Sequence, residues 1–393
     1  MVSLNAVQLI RRATLVALAW ALLAGSAAAR FTLEQVMSAP FPSELVVAEH
    51  SGRIAWVFAA RGVRNVWVAD APEFRARQVT HYRSDDGQAI SSPRLTPDGR
   101  TVVYVRGSET NREGEVANPT SSVTEPHQQV WAVDVDGGEP RLLGTMEVSG
   151  EGDEDVQISP DGRFAVWAAR NKLWLAPVSG AAPARELAYV RGENDSPRWS
   201  PDGRRFAFVS DRGDHSFIAI YDFGRDSISY LAPSVDRDIH PRWSPDGRQI
   251  AFIRRRGTQA KMPIIPLRAD PWSIWVGDPE TGKAREIWRS GEQLEQSLPN
   301  LTASESFHFA AGNRIVFAYE QDGWNHLYSV PAAGGQAVLL TPGNFEVEHV
   351  SLSADKRSVL YSSNQDDIDR RHLWRVSVEG GIPQALTRGE TIE

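Results

Sequence analysis

The fold this sequence predicts is an all-β propeller of about seven four-stranded blades, and three observations predict it. The phrase RWSPDGRRFAFVSDRG (Arg198–Gly213) returns almost unchanged as RWSPDGRQIAFIRRRG (Arg242–Gly257). Weaker copies recur along the chain at a spacing close to that of one blade. Tryptophan, with 13 copies in 393 residues, keeps returning at one place in the repeat.

The copies are RLTPDGRTVVYVRG from Arg94, QISPDGRFAVWAAR from Gln157 and SLSADKRSVLYSSN from Ser351. Two more have lost the proline: AEHSGRIAWVFAARG from Ala48 and FAAGNRIVFAYEQDG from Phe309. The arginine after each turn marks the repeats at Arg53, Arg100, Arg163, Arg204, Arg248, Arg314 and Arg357, at intervals of 47, 63, 41, 44, 66 and 43. Four intervals suit a bare blade. The two long ones suit a blade plus an insertion, at 101–156 and 257–300.

Each repeat reads as four strands in order. A short apolar stretch such as SPRWS or HPRWS comes first. Ser-Pro-Asp-Gly then turns the chain, because proline presets φ, aspartate suits the second central position and glycine takes the left-handed one. An alternating strand such as RFAFVS or QIAFIR follows. The third strand carries the wide aromatic, as in NVWVAD, QVWAVD, KLWLAP, SIWVGD, HLYSV and HLWRV, where a large ring can fill the wedge between sheets. The fourth is short and ends near LT. Pro201, Asp202, Gly203 and Arg204 are thereby turn formers and not catalysts.

Composition narrows the function. The chain is 41% hydrophobic and 23% charged, which suits a folded protein. Its net charge of −8 offers no basic stripe for nucleic acid. The absence of cysteine excludes disulfides, thiolate metal sites and a cysteine nucleophile. Arg11 and Arg12, the apolar run ATLVALAWALLAG and an Ala27-x-Ala29 end predict a signal peptide over 1–29. The run is short for a bilayer span of about 20 residues, and the residues around the arginine pair do not fit a twin-arginine signal. Cleavage would leave a propeller over 30–393, periplasmic or secreted, with no membrane span.

DPWSIWVGDPETGKAREIWRSG (Asp270–Gly291), LTASESFHFAAGNRIVFAYEQDGWNHLYSVPAAGG (Leu301–Gly335) and SSNQDDIDRRHLWRVSVEGGIPQALTRG (Ser362–Gly389) resemble the propeller domain of prolyl oligopeptidase family serine peptidases, of the dipeptidyl and acylaminoacyl peptidase type. The SPDGR turns also resemble those of periplasmic TolB-like propellers. The resemblance implies a non-catalytic ring that gates or binds peptide beside an α/β-hydrolase domain. No G-x-S-x-G elbow occurs in these residues, so the expectation is a propeller truncated or split from its hydrolase domain and inactive alone. The alternative is a stand-alone TolB-like module that binds a protein. A third reading is a lyase or glycosidase built on a propeller. Some relatives carry eight blades, so an eighth lost at the C-terminus is the alternative count.

The resemblance also implies acids that hold the ammonium end of a peptide, as a cation with three donors requires. The family's Tyr-Glu-Glu pattern is missing. The nearest acidic cluster is Glu151, Asp153, Glu154 and Asp155. Residues just before each turn phrase should open the innermost strand at a channel mouth: Asp155, Asp195, Asp238, His240, Glu346 and Glu348, with His349 beside them. Carboxylates gathered there would attract cationic ligands. The nine histidines show no metal spacing, and no phosphate loop or dinucleotide fingerprint appears, so no cofactor is expected. Asp366–Arg371 lacks the glycine and distal glutamate of a calcium loop and reads as an ion-paired loop.

Overall fold

The computed structural model describes residues 32–38, 40–108, 115–118, 120–124, 126–146, 156–169, 172–257, 268–299 and 306–390. The predicted signal segment and Glu151, Asp153, Glu154 and Asp155 lie outside the described residues. A single-turn helix, α1 (Leu33–Met37), opens on a Thr32/Gln35 capping box. Antiparallel strands are the main regular structure in the rest.

They run in seven groups of four along the chain. The first holds β1 (Phe41–Val47), β2 (Arg53–Ala60), β3 (Val63–Asp70) and β4 (Arg77–Gln78). The second holds β5 (Ile90–Leu95), β6 (Thr101–Arg106), β7 (Gln129–Asp134) and β8 (Arg141–Thr145). The third holds β9 (Gln157–Ile158), β10 (Phe164–Ala169), β11 (Lys172–Pro177) and β12 (Arg185–Tyr189). The fourth holds β13 (Glu193–Trp199), β14 (Arg205–Asp211), β15 (Ser216–Asp222) and β16 (Ser227–Leu231). The fifth holds β17 (Arg237–Trp243), β18 (Ile250–Arg255), β19 (Trp272–Gly277) and β20 (Ala284–Arg289). The sixth holds β21 (His308–Ala310), β22 (Arg314–Tyr319), β23 (His326–Pro331) and β24 (Val338–Leu339). The seventh holds β25 (Val347–Leu352), β26 (Ser358–Ser363), β27 (His372–Ser377) and β28 (Gln384–Ala385).

The expectation of seven separate blades needs correction. Among the described residues five groups stand as separate four-stranded blades, while the fourth and fifth run together into one eight-stranded sheet. The join is a single parallel bridge, Ser216 to Arg237. Ser216 gives its N–H to Asp236 O at 3.2 Å and its hydroxyl to Asp238 O at 2.7 Å. Arg237 reaches back to Gly213 O at 2.6 Å and pairs with Asp211. A loop of one repeat is thus tied to the first strand of the next.

The turn phrase does the structural work its residues suggest. Ser200 Oγ donates to Asp202 Oδ1 at 2.6 Å and accepts the N–H of Arg205 at 3.0 Å, while Asp202 Oδ1 accepts the N–H of Arg204 at 3.1 Å. The same three bonds recur around Ser159, Ser244 and Ser353, and around Thr96. The Ser244 hydroxyl and the Arg248 N–H hold the Asp246 carboxyl below the usual range. Gly203 sits at φ +69°, the left-handed region glycine enters without cost.

Packing follows from the alternation of each strand. The second-strand aromatics Tyr104, Trp167, Phe208, Phe252, Phe317 and Tyr361 are fully buried and face the preceding group. Across the sheet most meet the third-strand aromatic, as Trp167 meets Trp174 and Phe252 meets Trp275. Six cores result, joining each group to the next from first to seventh. The LT ending has its own cause. The Thr80, Thr341 and Thr387 hydroxyls accept the N–H of Val66, Leu327 and Leu373 at 2.8, 2.9 and 2.9 Å, so a side chain completes the ladder where the fourth strand stops.

Candidate functional site

The first strand of each group lies innermost. β1, β5, β9, β13, β17 and β21 lie against one another in sequence, so they line the axis. Tryptophans of the turn phrase stitch them together. Trp243 Nε1 donates to Arg198 O at 2.9 Å, and Trp199 Nε1 to Gln157 O at 3.4 Å.

Five of these strands carry the same bulge. The register slips between Ser43 and Val46, Ser91 and Arg94, Asp195 and Arg198, Ile239 and Arg242, and Val347 and Val350. In four of them the first bulged residue is left-handed: Glu44 (φ 58°), Ser92 (48°), Ser196 (52°) and His240 (56°). None is glycine, so the backbone holds strain at the same point in four strands. In three the next residue is proline (Pro93, Pro197, Pro241), which has no N–H to leave unpaired. An arginine follows and folds back on that proline. Arg94, Arg198 and Arg242 donate from Nη1 to Pro93, Pro197 and Pro241 O at 2.9, 2.7 and 3.0 Å. Arg242 Nε also donates to Phe307 O at 2.8 Å, reaching the sixth group. Such bulges re-aim side chains and gather next to binding sites.

The predicted acids fare unequally. Asp195 is half-buried on β13 at the start of its bulge. Asp238 does not stand at a mouth: it is fully buried and grips Arg254 with both oxygens, at 2.6 and 2.8 Å. Arg254 lies over the Trp275 ring, 4.4 Å from its centroid. Burial outweighs this pairing and pushes the Asp238 carboxyl up to about 6. Glu346 accepts the N–H of Asn325 at 3.0 Å and holds backbone in place. Glu348, half-buried, accepts from Arg371 Nε at 2.7 Å, and His349 is exposed. Arg370 pairs with Asp367 at 2.9 Å, so the Asp366–Arg371 segment is the ion-paired loop expected.

His240 is half-buried at the apex of its bulge. Burial first, then the positive charges of Arg242, Arg198 and Arg255, push its imidazole down to about 3, so the ring is neutral near pH 7. At the inward ends of the fourth and fifth groups Arg198, Arg242 and Arg255 thus surround a neutral histidine, beside Asp195. Sequence reasoning missed Arg94, Arg198 and Arg242. The available signal is Pro-Arg before the turn, three times at one register.

Chemically these groups are suited to polar contacts. Guanidinium forks suit carbonyl and carboxylate oxygens, and hydroxyls and a neutral imidazole can donate or accept. Asp322, His326 and Thr341 form a lookalike of a catalytic triad, with contacts of 3.6 and 3.4 Å. It lies inside the sixth group: His326 and Thr341 are buried, and the threonine hydroxyl already accepts the Leu327 N–H. Among the described residues no group of three or more His, Asp or Glu side chains is placed to hold a metal, and no helix is long and apolar enough to cross a membrane.

Comparison with known proteins gives a consistent picture of the fold. The TolB beta propeller domain matches residues 171–392. A stretch of 59 residues, 15% of this chain, is 39% identical to a probable dipeptidyl peptidase 4 of Aspergillus flavus, of which it spans 8%. Dipeptidyl peptidase 4 of Porphyromonas gingivalis superposes over 88% of this chain and 53% of its own, with TM-score 0.59 and 12% identity. The beta-propeller domain of the Trilobed protease from Pyrococcus furiosus superposes over 89% of this chain and 98% of its own, with TM-score 0.54 and 12% identity. This chain thus spans about half the length of the peptidase it superposes on.

Proposed function

Because this chain belongs to the TolB beta propeller domain family, we propose that it is the propeller portion of a prolyl oligopeptidase-type serine peptidase, and that it binds and filters peptide at the inward bulges. The observation that carries the peptidase side of this reading is the 59-residue stretch 39% identical to a probable dipeptidyl peptidase 4. In this reading the bulge arginines take peptide carbonyls or a carboxylate, His240 offers a neutral partner, and hydrolysis belongs to a hydrolase domain working with the ring. The eight-stranded sheet then counts as two blades, the fourth and fifth, joined at Ser216 and Arg237. Export is part of the same reading, and N-terminal sequencing of the mature protein should begin at Arg30.

The test is anisotropy of fluorescein-labelled mixed-sequence oligopeptides titrated with the purified chain. Binding should be saturable. Arg198→Ala with Arg242→Ala should weaken it by at least about tenfold, the worth of one lost charge-assisted hydrogen bond. Binding that ignores both substitutions, or no binding at all, sinks the proposal. The family match favours a second reading, a module that holds a folded protein in the cell envelope, and that reading leads if peptides fail to bind.

A further inference from the structure

Seven times in this chain an aspartate is followed by glycine: at Asp86, Asp98, Asp136, Asp161, Asp202, Asp246 and Asp322. Such a pair rearranges easily, because glycine puts no side chain in the way when its nitrogen turns on the aspartate carboxyl. The structure treats the seven unequally. Four lie in the turn phrase. There each carboxylate accepts a hydroxyl and a backbone N–H. Each of those glycine N–H groups is also held by the carbonyl of the serine or threonine three residues before it, at 2.7–2.9 Å. Led by the Thr96 hydroxyl, these bonds hold the Asp98 carboxyl below its usual range, in the ionised form that a nitrogen attacks least readily. Asp86 accepts the Gln88 N–H at 3.1 Å and pairs with Arg106. Asp322 accepts the Trp324 N–H at 3.3 Å and faces His326 Nε2 at 3.6 Å.

Asp136 lacks these bonds. It lies in the turn between β7 and β8, and its side chain is 86% exposed. Among the described residues its carboxylate accepts no hydrogen bond and has one ionic neighbour, Arg77 Nη2 at 3.7 Å. Gly137 N–H donates to Asp134 O at 3.1 Å, the single bond that must open. Gly137 and Gly138 stand at φ +117° and +121°, and a side chain on either would meet nothing within 4 Å. The same turn, closed by a glycine N–H on the carbonyl three residues back, recurs at Gly180, Gly334 and Gly380. Ser179, Ala333 and Glu379 precede those glycines, so the second group alone of these four puts aspartate there. We propose that Asp136–Gly137 is the site at which this protein isomerises to isoaspartate. Gly137 N attacks Asp136 Cγ, and the new N–C bond closes a cyclic succinimide while the amide proton and the carboxyl OH leave as water. Solvent water then reopens the ring. Attack at Cγ restores aspartate, and attack at the main-chain carbonyl leaves the backbone running through Cγ, with no change of mass or oxidation state. The consequence falls on the contact between the first two groups. Arg77 of β4 donates to Val135 O, as Arg141 does to Val178 O at 2.9 Å and Arg285 to Ala332 O at 2.7 Å, each clamping a fourth strand to the next group. Isoaspartate lengthens the main chain directly after Val135 and moves the carboxylate that Arg77 faces.

The test follows all seven sites in one sample. The purified protein is kept folded near neutral pH, samples are digested over time, and the aspartate and isoaspartate forms of each peptide are counted by electron-transfer fragmentation. The same protein in urea gives the unfolded rate of each site. Asp136 should convert at close to its unfolded rate. Asp98, Asp161, Asp202 and Asp246 should fall below theirs by on the order of tenfold or more, because each must first break about two more hydrogen bonds. Asp136→Glu should abolish conversion in that peptide and leave the other sites alone, since glutamate would have to close a larger ring. The proposal is overturned if Asp136 is slowed by folding as much as the turn aspartates are, or if any of them outruns it. It is overturned also if every site keeps its unfolded rate in the folded sample, because the fold would then select nothing. The readout is a covalent change, so it is independent of whether peptide binds at the bulges.

Discussion

His240 and Asp238, two residues apart on β17, are pushed toward their neutral forms from opposite sides. Burial raises the carboxyl to about 6 and lowers the imidazole to about 3. Their effects on stability therefore oppose each other in acid. A histidine whose folded value is depressed contributes stability that is present above its ordinary 6.5 and lost as pH falls toward about 3. An aspartate whose folded value is raised contributes stability that is present below 3.8 and lost as pH rises through about 6. His240→Gln removes the first effect and keeps the second. The urea midpoint of this variant should fall less than that of the parent between pH 7 and pH 4.5. An equal or larger fall would mean that His240 is charged in the folded ring. The same strand shows what single residues conceal from sequence. Asp238 and His240 were legible as polar residues opening an inner strand. That one faces a buried arginine and the other sits on a left-handed bulge depends on a register slip that no alternation of side chains announces.

At the scale of the element, the most legible features were those made by local bonds. The turn phrase closes within six residues through Ser, Asp and Gly, so its letters predict its geometry. The LT ending was visible for a similar reason, since one hydroxyl replaces a missing ladder bond. That bond also separates burial from chemistry. Thr341 is buried, whereas the bond made by Thr387 lies at an exposed end. Thr341→Val should strand the Leu327 N–H and cost about 1–3 kcal/mol, while Thr387→Val should cost less than about 0.5 kcal/mol because water can take the bond. Equal losses in chemical denaturation would mean that the hydroxyl matters by packing and not as an acceptor. The bulges were not legible because their signature, Pro-Arg after a polar residue, also fits an ordinary strand. The fusion of the fourth and fifth groups was hidden as well. It turns on one bridge between a loop-edge serine and an arginine, and neither residue type signals it.

At the scale of the whole molecule, the repeat made the row of sheets predictable and its ends unpredictable. The first and seventh repeats spell the same pattern as the others, so nothing in their letters shows that, among the described residues, each packs on one neighbour only. A row of similar units held by nearest-neighbour cores gains stability interface by interface. A central group has two such interfaces, and the first and seventh have one. The same kind of side chain should therefore carry different weight by position. Trp167, fully buried between the second and third groups, should cost about 3–5 kcal/mol on replacement by alanine. Trp56 stands at the equivalent place on the first group but is only half-buried, stacked on Trp67 at 6.5 Å. Its replacement should cost no more than about half as much. Hydrogen exchange on residues 30–393 should give the same ranking without mutation. Amides of β2, β3, β26 and β27 should open at lower free energy than those of β10, β14 and β18, whose sheets are packed on both faces. Uniform protection from first group to seventh would mean that stability does not follow the number of packed interfaces.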